Sequence, residues 1–261
     1  MKHLGRSFRG LGGLRIHTQC WLPTGPLRAV LLLVHGYAEH SGRYANLVDY
    51  FVPRDYAIYA LDHRGHGRSE GERVHIDSFG DYLADLKTYF DLVRTEQPSA
   101  KIFLLGHSMG AMIATAYAPA HQHELDGLII SGGGIAREDA PPPAPVADLA
   151  ATVSRDPAVV QAYRDDPLNY HGPPPPSRAE AMKGWRAQLR DLARQITLPI
   201  IIMAGSGSSL GDGPRSEAMY EVVTSPDKTL KLYDGLYHEI FNEPERALVF
   251  ADLEAWLDSR C

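Results

Sequence analysis

The chain has 261 residues, 44% of them hydrophobic and 22% charged, which suits one large α/β domain, or one domain carrying an insertion, better than several small ones. A net charge of −6 gives no electrostatic footing for nucleic acid or an anionic membrane as partner. Two cysteines, Cys20 and Cys261, are too few for a disulfide framework and read as free thiols of a reducing compartment, which makes the cytoplasm the expected location.

Residues 1–13 carry basic side chains with no apolar run behind them, so no signal peptide is expected, and no run approaches the 18 apolar residues of a membrane span. Strands are expected at 14–21, 29–34, 57–61, 101–105, 127–130, 199–203 and 228–233; the run Ala-Val-Leu-Leu-Leu-Val at 29–34 is continuous enough to be buried on both faces of a sheet. Helices are expected between them at 44–53, 79–95, 108–119, 216–223 and 244–257. In the second, Tyr82, Leu83, Leu86, Tyr89, Phe90 and Val93 recur every three or four residues along one face. Strands alternating with helices imply a mostly parallel central sheet with helices on both faces. The rhythm breaks from 135 to 179, where Pro141–Pro143, Pro145 and Pro173–Pro176 flank short helical patterns at 146–152 and 157–163. That segment holds too many apolar residues for a linker and reads as a small inserted cap, leaving 1–134 and 180–261 as the core.

The chemistry centres on Gly106-His107-Ser108-Met109-Gly110, directly after one expected strand and before a helical run. A serine on so sharp a turn projects its hydroxyl from the carboxyl edge of the sheet, and the helix N-terminus behind it favours developing negative charge. Ser108 is therefore the expected nucleophile for acyl transfer. The run Val34-His35-Gly36-Tyr37, after an earlier buried strand, is placed to bring a backbone N–H beside that of Met109 as an oxyanion donor, while His35 reads as structural packing. In this fold order runs nucleophile, acid, base. Of the twelve histidines, His171 and His238 lie far enough downstream, and His238, in the loop after the last strand, is the expected base.

The stretches His35-Gly36-Tyr37-Ala38-Glu39-His40-Ser41-Gly42-Arg43-Tyr44, Asp62-His63-Arg64-Gly65-His66-Gly67-Arg68-Ser69-Glu70-Gly71, Gly106–Gly110 and Tyr233-Asp234-Gly235-Leu236-Tyr237-His238-Glu239 together resemble the monoacylglycerol lipase family of α/β-hydrolases. The resemblance covers nearly the whole chain and is weakest in the cap. It implies an α/β-hydrolase fold with a lid after the sixth strand, hydrolysis of monoacylglycerols or related esters without a cofactor or metal, and an oxyanion hole from the N–H groups of Tyr37 and Met109. It also puts Glu39 and Arg43 near the head-group end of the pocket, where the alternative is an ion pair bracing the loop. Phe241 stands where some family members carry a polar histidine, and the short cap points toward short acyl esters. Transient contact of the cap with a lipid surface is a further expectation.

The family's acid is an aspartate after the seventh strand, and that position is Ser208 here. Three outcomes stay open: Asp212, four residues on, replaces the acid; Ser208 holds His238 directly or through water, leaving a slow esterase; or the chain is a disabled hydrolase that binds an acyl or small apolar ligand. Epoxide opening or dehalogenation would want aspartate at position 108, so those chemistries are set aside.

Overall fold

The computed structural model describes residues 1–137 and 148–261, with residue 186 described in its backbone alone. The proline run at Pro141–Pro143 and Pro145, and the first residues of the pattern at 146–152, lie outside the described residues.

Eight described strands form one sheet in the order β1-β2-β4-β3-β5-β6-β7-β8. They are β1 (Lys2–Arg9), β2 (Arg15–Leu22), β3 (Ala29–Val34), β4 (Tyr56–Leu61), β5 (Ile102–His107), β6 (Gly127–Ser131), β7 (Ile200–Gly205) and β8 (Lys228–Tyr233). Pairing is parallel from β4 through β8 in sheet order, and antiparallel where β2 meets β4 and β1. The seven expected strands are all present. The eighth, β1, is an exposed edge strand whose hairpin turn carries Gly12 and Gly13 at positive φ. Its polar composition hid it, because an edge strand need not bury a face.

The helices are α1 (Ala45–Phe51), α2 (Gly80–Glu96), α3 (Met109–His121), α4 (Ala150–Val153), α5 (Pro157–Asp165), α6 (Pro176–Ala193), α7 (Asp212–Val222) and α8 (Arg246–Asp258). Alternate residues of the central strands face opposite layers. Val30, Leu32, Val34, Ile102, Leu104, Leu128, Ile130, Ile200 and Ile202 pack with α2, α3, α6 and α7, whereas Leu31, Leu33, Phe103, Leu105, Ile129, Ile201 and Met203 pack with α1 and α8. Burial on both faces is why these strands read as unbroken apolar runs.

Two boundaries differ from expectation. Helix α7 starts at Asp212 rather than 216, because Gly211 takes φ 75° and turns the chain into a helix whose first residue is Asp212. Helix α6 has no counterpart among the expected elements, and the cap boundary drawn at 179 falls inside it. Its signal was legible: a proline in the first turn, then Met182, Trp185, Leu189 and Ala193 at three- and four-residue spacing. Between β6 and β7 the described elements are thus α4, α5 and α6.

The carboxyl end of the sheet collects the site. Ser108 follows β5, His35-Gly36-Tyr37 follows β3, Ser208 and Asp212 follow β7, and His238 follows β8. The tightest joint is α3 against β3, where a Cβ on Gly110 would lie 1.9 Å from the carbonyl oxygen of Val34. Since that neighbour is backbone, Gly110→Ala is expected to cost about 3 kcal/mol, lowering the melting midpoint by roughly 6–12 °C. Gly12→Ala, at a φ of 72° in open space, costs about 1 kcal/mol by the same thermal melt.

Candidate active site

Ser108 sits between β5 and α3 with φ 54° and ψ −113°, a conformation few non-glycine residues adopt. The surroundings hold it there. Its N–H donates to Ser131 O at 3.0 Å, and its own carbonyl accepts from Ala111 N at 3.0 Å and Met112 N at 3.3 Å. A Cβ on Gly106 would meet Gly110 O at 2.3 Å, so the chain can make this turn only with glycine on either side. Met109, first residue of α3, presents the helix N-terminus next to the serine.

The loop after β3 approaches from the other side. A Cβ on Gly36 would lie 3.1 Å from the Ser108 Cβ, so the loop after β3 passes close to the serine at Gly36, the residue before Tyr37. His35 is fully buried and structural: its Nε2 accepts from His63 N at 2.9 Å, and burial holds the ring below its ordinary pKa, as a neutral imidazole.

His238 is buried, and its Nδ1 bonds Asp212 Oδ2 at 2.7 Å. Burial disfavours the imidazolium, but the charge and hydrogen bond of Asp212, with Glu239 and Glu39, together raise the His238 pKa above 6.5. Asp212 is the mirror case. Burial pushes its carboxyl up, yet His238 and a hydrogen bond from Ser208 bring it below the ordinary value of 3.8. Its place at the first residue of α7 adds the favourable end of the helix dipole. Ser208, the residue expected at the acid position, accepts from Leu210 N at 3.3 Å through its Oγ and contributes to the lowered pKa of Asp212. His171, the other downstream histidine, is exposed on the segment after α5, and its ring bonds Asp166 O at 3.2 Å.

Glu39, Arg43 and Phe241 are brought together, but as a buried cluster. Arg43 bonds Glu39 at 2.9 Å and forks onto Glu239, through Nη1 and, at 2.8 Å, Nη2, with its guanidinium 4.5 Å from the Tyr163 ring centroid. Glu39 also accepts from Gly36 N at 2.5 Å and Tyr44 Oη at 2.7 Å. Burial opposes its ionisation, but Arg43 and the ring of His107 bring its pKa down to about 2. Phe241 is buried and stacks on Phe250 in the α8 layer. Glu239, Tyr163 and His107 were not singled out from sequence. His107 lies inside the serine motif with its ring 4.8 Å from that of His238, and burial, then His238, lowers its pKa to about 4.

The segment between β6 and β7 touches both loops of the site. At the end of α4, the carbonyls of Thr152 and Val153 accept from the N–H groups of His238 (3.3 Å) and Glu239 (2.8 Å). Further on, Tyr170 N donates to Ala38 O at 2.9 Å, Tyr163 Oη donates to the same carbonyl at 3.4 Å, and Asp166 bonds His40 Nε2 at 2.8 Å. Residue Ala38, at φ 63°, is thereby fixed from the inserted side. Among the described residues no group of histidine, cysteine and carboxylate side chains could hold a metal ion.

A serine forced into this turn, on a sheet of this order, with a buried histidine–aspartate pair on the two loops that follow, defines a serine hydrolase of the α/β-hydrolase fold. The comparisons sharpen the class. The profile of the family described as serine aminopeptidase, S33, matches residues 25–245. A monoacylglycerol lipase from Mycolicibacterium smegmatis is 38% identical over 97% of this chain and 96% of its own length. Human monoglyceride lipase is 30% identical over 95% and 88%. Among solved structures, the monoacylglycerol lipase of Paleococcus ferrophilus superposes with a TM-score of 0.77 at 25% identity over the whole of both chains. A Bacillus coagulans carboxyl esterase reaches 0.86 at 23% identity over 100% and 99%, which speaks to the fold alone. The chain belongs to the serine aminopeptidase S33 family of α/β-hydrolases, and it is a carboxylic ester hydrolase resembling monoacylglycerol lipase.

Removing Arg43 strands two buried carboxylates, so Arg43→Met is expected to destabilise the fold by about 3–5 kcal/mol in a denaturant titration at neutral pH. The sign with pH follows from Glu39: its contribution is full above the unfolded value of 4.5 and is lost as pH falls toward about 2. The parent should therefore lose stability across that window more steeply than the variant.

Proposed function

We propose that the chain hydrolyses monoacylglycerols or related short-to-medium acyl esters through an acyl-Ser108 intermediate, with His238 as base and Asp212 as the acid that orients it. The observation that carries this reading is the buried 2.7 Å bond between Asp212 Oδ2 and His238 Nδ1. It supplies what the serine at position 208 withholds: a fixed ring orientation and an anion to stabilise the imidazolium.

In the proposed sequence, Ser108 Oγ attacks the ester carbonyl as its proton passes to His238 Nε2. The carbonyl oxygen becomes an oxyanion facing the N–H groups of Tyr37 and Met109. Collapse expels the alcohol, which takes the proton from His238. Water then repeats the cycle on the acyl-enzyme, its proton going to His238 and the acid leaving as Ser108 is restored. No step calls for a metal or cofactor. Glu39, Arg43 and Glu239 are assigned to bracing the loops, since each spends its polar atoms on the others.

The substrate class rests on the relatives' names and on the short inserted segment 135–179, read as a cap. Brief contact of that segment with a lipid surface fits the same reading, supported by the partly buried Val159 and Val160 of α5; no described helix is long and apolar enough to cross a membrane. A cytoplasmic location is proposed from the two free cysteines, Cys20 buried and Cys261 exposed.

Turnover of a p-nitrophenyl ester series tests the acid. Asp212→Asn is expected to lower kcat by about 10³–10⁴-fold, near the 10⁴ that the corresponding change costs a serine protease. Ser208→Asp should gain nothing, because a second carboxylate would sit beside a buried anion. Unchanged turnover in Asp212→Asn would eliminate Asp212 as the acid, whereas a gain of orders of magnitude in Ser208→Asp over a parent no faster than Ser108→Ala would favour the ligand-binding reading instead. The pH profile checks the same pair. Neutral His238 is the active form, so kcat/KM rises with pH through a pKa above 6.5 in the parent, and that limb moves to lower pH in Asp212→Asn.

A further inference from the structure

Helix α6 carries a cation on its buried stripe. Met182, Trp185, Leu189 and Ala193 dock it on the core, with the Trp185 ring 5.0 Å from Phe79, and one turn before Met182 the same stripe bears Arg178. The Arg178 guanidinium lies 3.9 Å from the centroid of the Tyr37 ring, and its Nη2 lies 3.9 Å from Met109 Sδ. Tyr37 and Met109 stand far apart in sequence, on the loop after β3 and at the start of α3. The one thing they share chemically is the proposed pair of oxyanion N–H groups. A side chain that touches both, from a third element, fixes the separation of the two loops at that point. Arginine suits this task where lysine does not: its planar head stacks on an aromatic face and offers an edge to the thioether at the same time.

We propose that Arg178 is a positioning residue for the oxyanion hole, its guanidinium bridging the Tyr37 ring and the Met109 thioether so that the two backbone donors keep their spacing. The inference rests on the reading of Tyr37, Met109 and Ser108 given above. It also gives the segment between β6 and β7 a third hold on the site, beside those on Ala38 and on His238.

The test uses the full chain with Arg178→Lys, Arg178→Met and Ser108→Ala beside the parent. Each is measured for p-nitrophenyl butyrate turnover, for inhibition by an alkyl boronic acid that forms a tetrahedral adduct on serine, and for thermal midpoint. Losing an oxyanion donor outright costs about 10²–10³ in kcat, so a misplaced donor is expected to cost about 10–100-fold. Both Arg178 variants should show that loss in kcat with KM within about 3-fold of the parent, and boronate affinity should fall by the same factor. Lysine should fail to rescue although it keeps the charge. A purely structural role predicts a lowered midpoint with kcat per folded molecule unchanged, and that result, or the unfolding of both variants, overturns the proposal. So does full activity in Arg178→Met, which would make Arg178 a mere filler. Ser108→Ala separates the two levels: if it turns over like the parent, the site reading falls and takes this inference with it. If it is inactive while both Arg178 variants match the parent, only the inference falls.

Discussion

The conformation of Ser108 is the constraint around which the rest is arranged. A left-handed φ at a residue with a side chain is costly, and it persists only where neighbours leave the chain no other path. Here the neighbours are backbone: the Val34 carbonyl against Gly110, and the Gly110 carbonyl against Gly106. Because β3 and β5 are adjacent in the sheet, the close approach of α3 to β3 also brings the loop after β3 to the serine. The close approach of Gly36 to Ser108 is thus a consequence of the same packing, with no separate device needed to create it.

The base and its partner obey a different logic. Burial disfavours the charged form of both the imidazole and the carboxylate, and each partner offsets that for the other, so the His238 pKa is raised and that of Asp212 lowered. The family's route to that pairing is an aspartate in the loop after β7. Ser208 stands at the corresponding place here, and the carboxylate that bonds His238 is Asp212, the first residue of the next helix, where the helix dipole favours its charge. Gly211 makes the substitution sterically workable, since its positive φ starts α7 early enough to point Asp212 back at His238. Ser208 also helps to lower the pKa of that carboxylate.

The charges behind the histidine form a second buried system. Arg43 is shared by Glu39 and Glu239, one on the loop after β3 and one beside His238, so the ion cluster ties the loop after β3 to the loop after β8. Such a cluster adds less stability than its short distances suggest, because three charges have left water. What it does confer is a fixed relation between two loops joined to different strands. The inserted helices reinforce that relation from above: α4 accepts from the backbone of His238 and Glu239, and Tyr163 and Tyr170 hold Ala38.

Local sequence determined whatever depends on runs and short motifs. Seven strands were legible because burial on both faces leaves unbroken apolar runs, and Ser108 was legible because its turn demands glycine two residues to either side. His238 followed from chain order. The edge strand β1 was not legible, since its stability comes from pairing with β2 rather than from a buried face, and α6 was passed over although its spacing was readable. Side-chain partnerships across loops were beyond the sequence. Sequence left three fates for the missing acid, and only the tertiary structure brought Asp212 to His238, 26 residues away. Likewise only the tertiary structure brought Glu239, 196 residues downstream, to Arg43. The physical reason is common to both. A hydrogen bond or ion pair depends on distances of a few ångströms between residues far apart in the chain, and those distances are set by how whole layers pack, which no local pattern encodes.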